Sequence, residues 1–164
     1  MNHILKEQWM GCAVATVAMF GDLDYAEVSE HQPNLDPART RWPNELRALL
    51  QAVTGIRWRY QTCWFPRKRV DKFAFPRWPI AAFIIDREFC TRAGQWIVVK
   101  DGIVHDPGLP RCYTVGSYPL RGCRVLWIAA PVRPEELPRA REAKRLERFR
   151  SLLEAETALE CGIR

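Results

Sequence analysis

The sequence lacks the features that would send a chain into or across a membrane. No apolar run approaches the ~18 residues that a membrane-spanning helix needs. The opening segment "MNHILKEQWMG" carries Glu7 and no long apolar stretch, so it does not resemble a secretory signal. We therefore expect a cytoplasmic protein without a membrane partner, in which the six cysteines are reduced thiols.

The sequence also lacks the spacing typical of metal ligands. The cysteines lie at positions 12, 63, 90, 112, 123 and 161, with no C-x-x-C pair, and the three histidines do not group with them along the chain. Most zinc sites draw their ligands from closely spaced cysteine and histidine residues. The sequence therefore predicts no metal site and no cofactor.

What is present is enough for one folded domain. The chain has 164 residues, of which 48% are hydrophobic, so it can bury a real core. Helical patterns come first, alternating strand patterns follow, and a charged helical pattern ends the chain. This order predicts an α+β fold. We expect one domain over 1–131, and a proline-marked linker with a charged helix over 132–164.

The predicted elements follow from local patterns. Helices are expected over 12–20, stopped by Gly21, over 24–31 with a capping box, and over 44–54, capped by Asn44. Strands are expected in "IRWRYQTCW", "PIAAFII" and "CRVLWIAA".

The clearest local signal is the hairpin "QWIVVK-DG-IVHDP". A two-residue Asp-Gly turn places Lys100 opposite Ile103 and Val99 opposite Val104. Since strand side chains alternate between faces, His105 should point away from the face that carries the other members of the pattern. That face is predicted to hold Gln95, Ile97, Val99, Val104 and Asp106.

Cys12 stands at the head of an apolar run. A thiol at a helix N-terminus lies in the positive end of the helix dipole, which favours the thiolate. Gln8, four residues earlier, offers an amide donor for an oxyanion near that sulfur. On composition alone a buried structural cysteine is the stronger interpretation, because free cysteine is among the most buried residue types.

Two segments together resemble the papain-like cysteine peptidases. "Q-x3-C-A-x-A-x-x-A-M" near the N-terminus and "G-Q-W-I-V-V-x-D-G-x-V-x-D-P" some 80 residues later are similar to the bacteriocin-leader-processing peptidases of ABC exporters and their stand-alone bacterial and phage relatives. The resemblance covers about 4–130. It implies a papain-like fold, Cys12 as nucleophile, Gln8 as oxyanion donor and Asp106 as the carboxylate that orients a histidine base.

The position implied for that base holds Gln95. A glutamine amide cannot accept a proton at neutral pH, so the resemblance implies a damaged catalytic set. The leading hypothesis is a domain that binds a peptide or protein segment in its cleft with little or no hydrolysis. An active thiol hydrolase is the alternative, with His105 as substitute base if a bulge turned it inward. Gln95 and Asp106 also suit a structural polar cluster with Cys12.

A basic and aromatic strip over 57–78 raises a third hypothesis. Its positive charge is opposed there only by Asp71, and seven aromatic side chains are interleaved with it. Such a strip suits a polyanion, including nucleic acid, or an assembly protein of a phage or mobile element. An ordinary amphipathic strand, with Trp58 and Tyr60 inward, is the favoured interpretation. The basic residues are Arg57, Arg59, Arg67, Lys68, Arg69, Lys72 and Arg77.

The charged C-terminal helix has its basic residues first and its acidic residues last. This order opposes the helix dipole, so helix stability does not explain it. Docking onto the domain or onto a protein partner would explain it, although a solvated charged face is the commoner outcome.

Overall fold

The computed structural model describes residues 1–6, 11–30, 43–63, 66–86 and 94–160. Within them, six strands form one antiparallel sheet in the order β1-β6-β2-β3-β4-β5. The α+β prediction is confirmed. The helices are α1 (Cys12–Gly21), α2 (Tyr25–Glu30), α3 (Pro43–Thr54) and α4 (Glu136–Glu160), and a 3-10 turn covers Val70–Lys72. The strands are β1 (Trp58–Thr62), β2 (Ile80–Ile85), β3 (Gly94–Lys100), β4 (Ile103–His105), β5 (Tyr113–Thr114) and β6 (Arg124–Pro131).

Helix α1 is buried along its whole length, as its apolar sequence predicts. Its end differs from the prediction. Gly21 lies inside the last turn, and Asp22 takes the left-handed conformation, with φ of 58° and its N–H bonded to the carbonyl of Ala18. Gly21 is needed for packing instead, because a Cβ there would come within 2.6 Å of Val53 Cγ1 on α3.

The next two helices follow their sequence signals closely. The main-chain N–H of Asp24 donates to Glu27 Oε2 at 2.7 Å, which is one half of the predicted capping box. Helix α3 begins at Pro43, so the expectation that Asn44 caps it was wrong by one position. Proline suits the first turn of a helix, where its missing N–H would have no partner in any case.

The sheet divides the core into two layers. Helices α1 and α3 pack on the face that carries Phe83, Trp96 and Val98. The opposite face carries Ile97 and Val99 from β3, together with Ile80, Ala82, Ile84, Val104, Tyr118, Cys123 and Val125. Strands buried on both faces explain why "PIAAFII" reads as a continuous apolar run.

The first half of α4 docks onto the domain. Leu137 is buried in the helix-side core. Arg141 donates from Nε to the Phe20 carbonyl at 2.8 Å and from Nη2 to the Met19 carbonyl at 2.7 Å. These carbonyls end α1, where a cation is favourable. Docking therefore accounts for a basic residue early in α4, while Leu146 and Phe149 remain exposed.

Within the described ranges, no helix combines the length and apolar composition that crossing a bilayer requires.

Candidate functional site

The β3–β4 hairpin has the predicted register. Lys100 lies opposite Ile103, Val99 opposite Val104, and Val98 opposite His105. Asp101 and Gly102 have φ angles of 50° and 74°, as a two-residue turn of this kind requires. Directly opposite residues share a face, so His105 lies with Val98 on the face that packs against α1.

A buried carboxylate organises the end of this hairpin. Asp106, which follows β4, is fully buried. Its Oδ2 accepts a hydrogen bond from Gln95 Nε2 at 2.7 Å and another from the Tyr118 hydroxyl at 2.6 Å. Its Oδ1 accepts from the main-chain N–H of Gly108 at 2.8 Å. The structure therefore brings Gln95 and Asp106 together and adds Tyr118, which sequence reasoning missed. No motif surrounds Tyr118, so no local signal pointed to it.

Cys12 reaches this region from the helix face of the sheet. Burial raises the pKa of the Cys12 thiol above its ordinary value, and the negative charge of Asp106 adds to the rise. A hydrogen bond from the main-chain N–H of Trp96 and the positive charge of Lys6 oppose the rise without cancelling it. The thiol is therefore neutral at pH 7, although it begins a helix.

Lys6 is a further member of the site that the sequence did not predict. Its main-chain N–H donates to the Pro107 carbonyl at 3.0 Å, so residues 1–6 run beside the chain that follows β4. A Cβ placed on Gly108 would lie 3.2 Å from Asp106 Oδ1, 3.5 Å from Gln95 Oε1 and 3.7 Å from Lys6 Nζ. These polar groups thus converge on one exposed glycine. Gln8, the expected oxyanion donor, lies outside the described residues.

His105 belongs to a different group of side chains. Its Nδ1 lies 3.2 Å from Cys112 Sγ, and its ring centroid lies 6.0 Å from that of His3. The pairing of β3 with β4 continues without a bulge to His105, so nothing turns the ring toward Asp106. Burial, helped by the charge of His3, lowers the pKa of His105 to about 4. The ring is therefore neutral at physiological pH.

The basic and aromatic strip does not form one surface. All seven of its basic residues are exposed. Arg59 pairs with Ala130 on the face away from the helices, and Tyr60 pairs with Ala129 on the helix face. Trp58 is buried as predicted, and Tyr60 lies on the same inner face, but its ring is 39% exposed and is not part of the core. The Arg47 guanidinium lies over its ring, 5.7 Å from the centroid, which holds the ring at the surface.

A small cavity lies beside Arg59 on the face away from the helices. Its volume is about 70 Å³, and Arg59, Gln61 and Trp78 form its polar and aromatic rim. Trp78 is 45% exposed. Because Arg59 and the exposed Trp78 both line this cavity, it is the part of the strip best suited to a ligand.

No protein-family model matches the chain, and no curated protein matches it at a significant level. The geometry around Asp106 and the motifs of the sequence are therefore the basis for assigning a function.

The environment of Cys12 predicts that its thiol reacts slowly with alkylating reagents. We expect iodoacetamide to modify Cys12 slowly near pH 6 and faster as the pH rises, by about tenfold per unit, because only the thiolate reacts and its pKa is raised. Peptide mapping by mass spectrometry after timed labelling measures the rate at Cys12 itself. Rapid labelling near pH 6 that disappears in Cys12→Ser would contradict this account.

Proposed function

We propose that this protein is a degenerate papain-like cysteine peptidase domain, which binds a peptide or protein segment beside Cys12 and Asp106 without efficient hydrolysis. The resemblance of both sequence motifs supports the family. The hydrogen bond from Gln95 to Asp106 is the observation that carries the proposal. In this hydrogen bond the amide of Gln95 makes the contact with Asp106 that the resemblance implies for a histidine base.

The contacts of Asp106 favour binding over catalysis. In a thiol peptidase the orienting carboxylate accepts from a histidine, which in turn takes the proton of the nucleophile. Here Oδ2 accepts from Gln95 and Tyr118, neither of which accepts a proton from a thiol at neutral pH. Burial also raises the pKa of Tyr118, with Asp106 contributing, so its hydroxyl keeps its proton.

The active-hydrolase alternative needs a base near Cys12. His105 lies on the same sheet face as α1, but its hydrogen-bond partner is Cys112, and its ring is grouped with His3. Cys12 itself is a buried neutral thiol. Both observations support a protein that has kept the site for recognition.

Replacing Gln95 with histidine tests whether this position is that of the lost base. Histidine is similar to glutamine in length, and its ring N–H can donate to Asp106 Oδ2 as the amide does. We expect the other ring nitrogen to reach the Cys12 sulfur, which lies beside the main chain of the next residue, Trp96. We expect Gln95→His to raise the alkylation rate of Cys12 near pH 6 by at least ~10-fold, which corresponds to about 1.4 kcal/mol.

Gln95→Met is the matched control, since it keeps the length of the side chain and supplies no base. Circular dichroism and thermal melting confirm that each variant is folded before its labelling rate is compared. A folded Gln95→His protein whose Cys12 reacts no faster than the wild type would show that residue 95 does not occupy the base position.

Peptide binding is tested by selection from a displayed library of linear peptides on the full chain. Gly108 is exposed and lies against Asp106, Gln95 and Lys6, so Gly108→Tyr places a ring over the cluster. Gly116→Tyr is the matched control, because Gly116 is also exposed and its Cβ would meet nothing within 4 Å. We expect selected peptides to lose at least ~10-fold in affinity on Gly108→Tyr and to bind Gly116→Tyr normally. Failure to enrich any peptide, or equal binding to both variants, would refute the proposed function.

Polyanion binding is a second candidate, favoured by the cavity that Arg59 and Trp78 share and by the exposed cations of the 57–78 strip. A guanidinium beside an exposed indole can contact a phosphate and stack on a base. The loop that carries Arg67, Lys68 and Arg69 adds three exposed positive charges at the other end of β6, where Arg69 bridges to Arg124 and pairs with Asp71 at 2.9 Å.

Salt dependence and charge removal test this candidate. If the strip binds nucleic acid, affinity for single-stranded DNA should fall with salt by about one log–log slope unit per phosphate contacted. The triple replacement of Arg67, Lys68 and Arg69 with alanine should then reduce the slope and the retention on heparin. Replacing Arg139, Arg145 and Arg150 on α4 removes the same charge elsewhere and serves as control. Equal effects of the two triple variants would reject the strip as the site.

A further inference from the structure

Three side chains from distant parts of the sequence meet beside β4. His3 comes from the N-terminal segment, His105 ends β4, and Cys112 precedes β5. One potential ligand atom from each lies within 4.8 Å of the other two. His105 is buried and the other two are partly buried. The cluster is separate from the group around Asp106, because residues 105 and 106 project to opposite faces.

The hydrogen bonding of His3 leaves one nitrogen prepared for a ligand. Its Nε2 lies 2.8 Å from the carbonyl oxygen of Leu109, and a carbonyl can only accept, so Nε2 carries the proton. In the neutral ring Nδ1 is then unprotonated, and its lone pair can bind a ligand. This atom is buried and has no hydrogen-bond partner among the residues that the structure describes. A metal-bound histidine characteristically donates its other N–H to a backbone carbonyl in this way, which fixes both tautomer and orientation.

We propose that His3, His105 and Cys112 form a binding site for a divalent transition metal of the zinc class. Two imidazoles and a thiolate are the ligands that such cations prefer over oxygen-seeking magnesium or calcium. Binding displaces the proton of the Cys112 thiol to solvent, and one coordination position stays open for water or another ligand.

The distances fit this assignment. In tetrahedral zinc with Zn–N near 2.0–2.1 Å and Zn–S near 2.3 Å, nitrogen and sulfur ligands lie about 3.5 Å apart. His105 Nδ1 and Cys112 Sγ are 3.2 Å apart, close to that value. No two of the three potential ligand atoms lie more than 4.8 Å apart. A movement of roughly 1 Å would therefore bring them to the separations of a tetrahedral zinc site.

Metal binding would fasten the N-terminal segment to the sheet. His3 and Lys6 already bond to the chain after β4, through the carbonyls of Leu109 and Pro107. A metal bridge from His3 to His105 and Cys112 would hold the same segment through side chains. The hydrogen-exchange rate of the Lys6 main-chain N–H should therefore fall when metal binds, although Lys6 is not itself a ligand.

The test is a titration of the full chain, freed of metal with a chelator and kept reduced, with Co²⁺. We expect a saturable signal at one equivalent, with a thiolate-to-cobalt charge-transfer band, and displacement of cobalt by Zn²⁺. Cys112→Ser should abolish the band, and His3→Gln should weaken binding at least tenfold. Cys63→Ser, which removes a partly buried thiol outside the cluster, should leave both unchanged.

Hydrogen exchange supplies a second readout. Zn²⁺ should slow exchange of the Lys6 amide at least tenfold in the wild type and leave it unchanged in His3→Gln. His105 is buried, so replacing it risks unfolding the protein. The test therefore uses His3→Gln and Cys112→Ser, and circular dichroism confirms that each variant is folded. A folded protein with no charge-transfer band, or a band that survives Cys112→Ser, would overturn the proposal.

Discussion

The buried carboxylate of Asp106 is the constraint on which the end of the sheet depends. A carboxylate removed from water costs several kcal/mol unless donors replace its hydration. Asp106 is fully buried and receives three hydrogen bonds, from Gln95, Tyr118 and the main chain of Gly108. These donors come from β3, from the loop after β5 and from the turn after β4. Satisfying one charge therefore fixes three segments relative to one another.

Under the proposed function, this requirement would explain how the site can hold glutamine at the base position and keep its geometry. Asp106 needs a donor from residue 95, and an amide N–H meets that need as well as an imidazole N–H does. Only the next step in a thiol peptidase, acceptance of a proton from the nucleophile, requires the second ring nitrogen of histidine. Under that proposal, glutamine at 95 would preserve the hydrogen bond to Asp106 and be unable to take a proton from the nucleophile. The pKa of Cys12 is raised because the thiol is buried, and the negative charge of Asp106 adds to the rise.

Local rules were sufficient for the parts of the fold that depend on neighbouring residues. The Asp101-Gly102 turn set the hairpin register, and the register placed Gln95 on the face of Asp106 and His105 on the other. Contacts between distant segments were beyond those rules. Tyr118 and Lys6 have no motif, and the spacing of cysteine and histidine along the chain argued against the cluster that His3, His105 and Cys112 form in space. Contacts between residues far apart in the sequence do not change the local periodicity of either segment.

The N-terminal segment, residues 1–6, contributes to both the polar group around Asp106 and the cluster around His105. His105 and Asp106 are consecutive, so alternation sends one side chain to each face of the sheet, and each face gathers its own polar group. Residues 3 and 6 reach both: His3 joins the His105 cluster, while Lys6 brings positive charge to Cys12 and lies near Asp106. Only residues 4 and 5 separate His3 from Lys6 along the chain. One short N-terminal segment therefore contributes a side chain to the His105 cluster and a positive charge to the surroundings of Cys12.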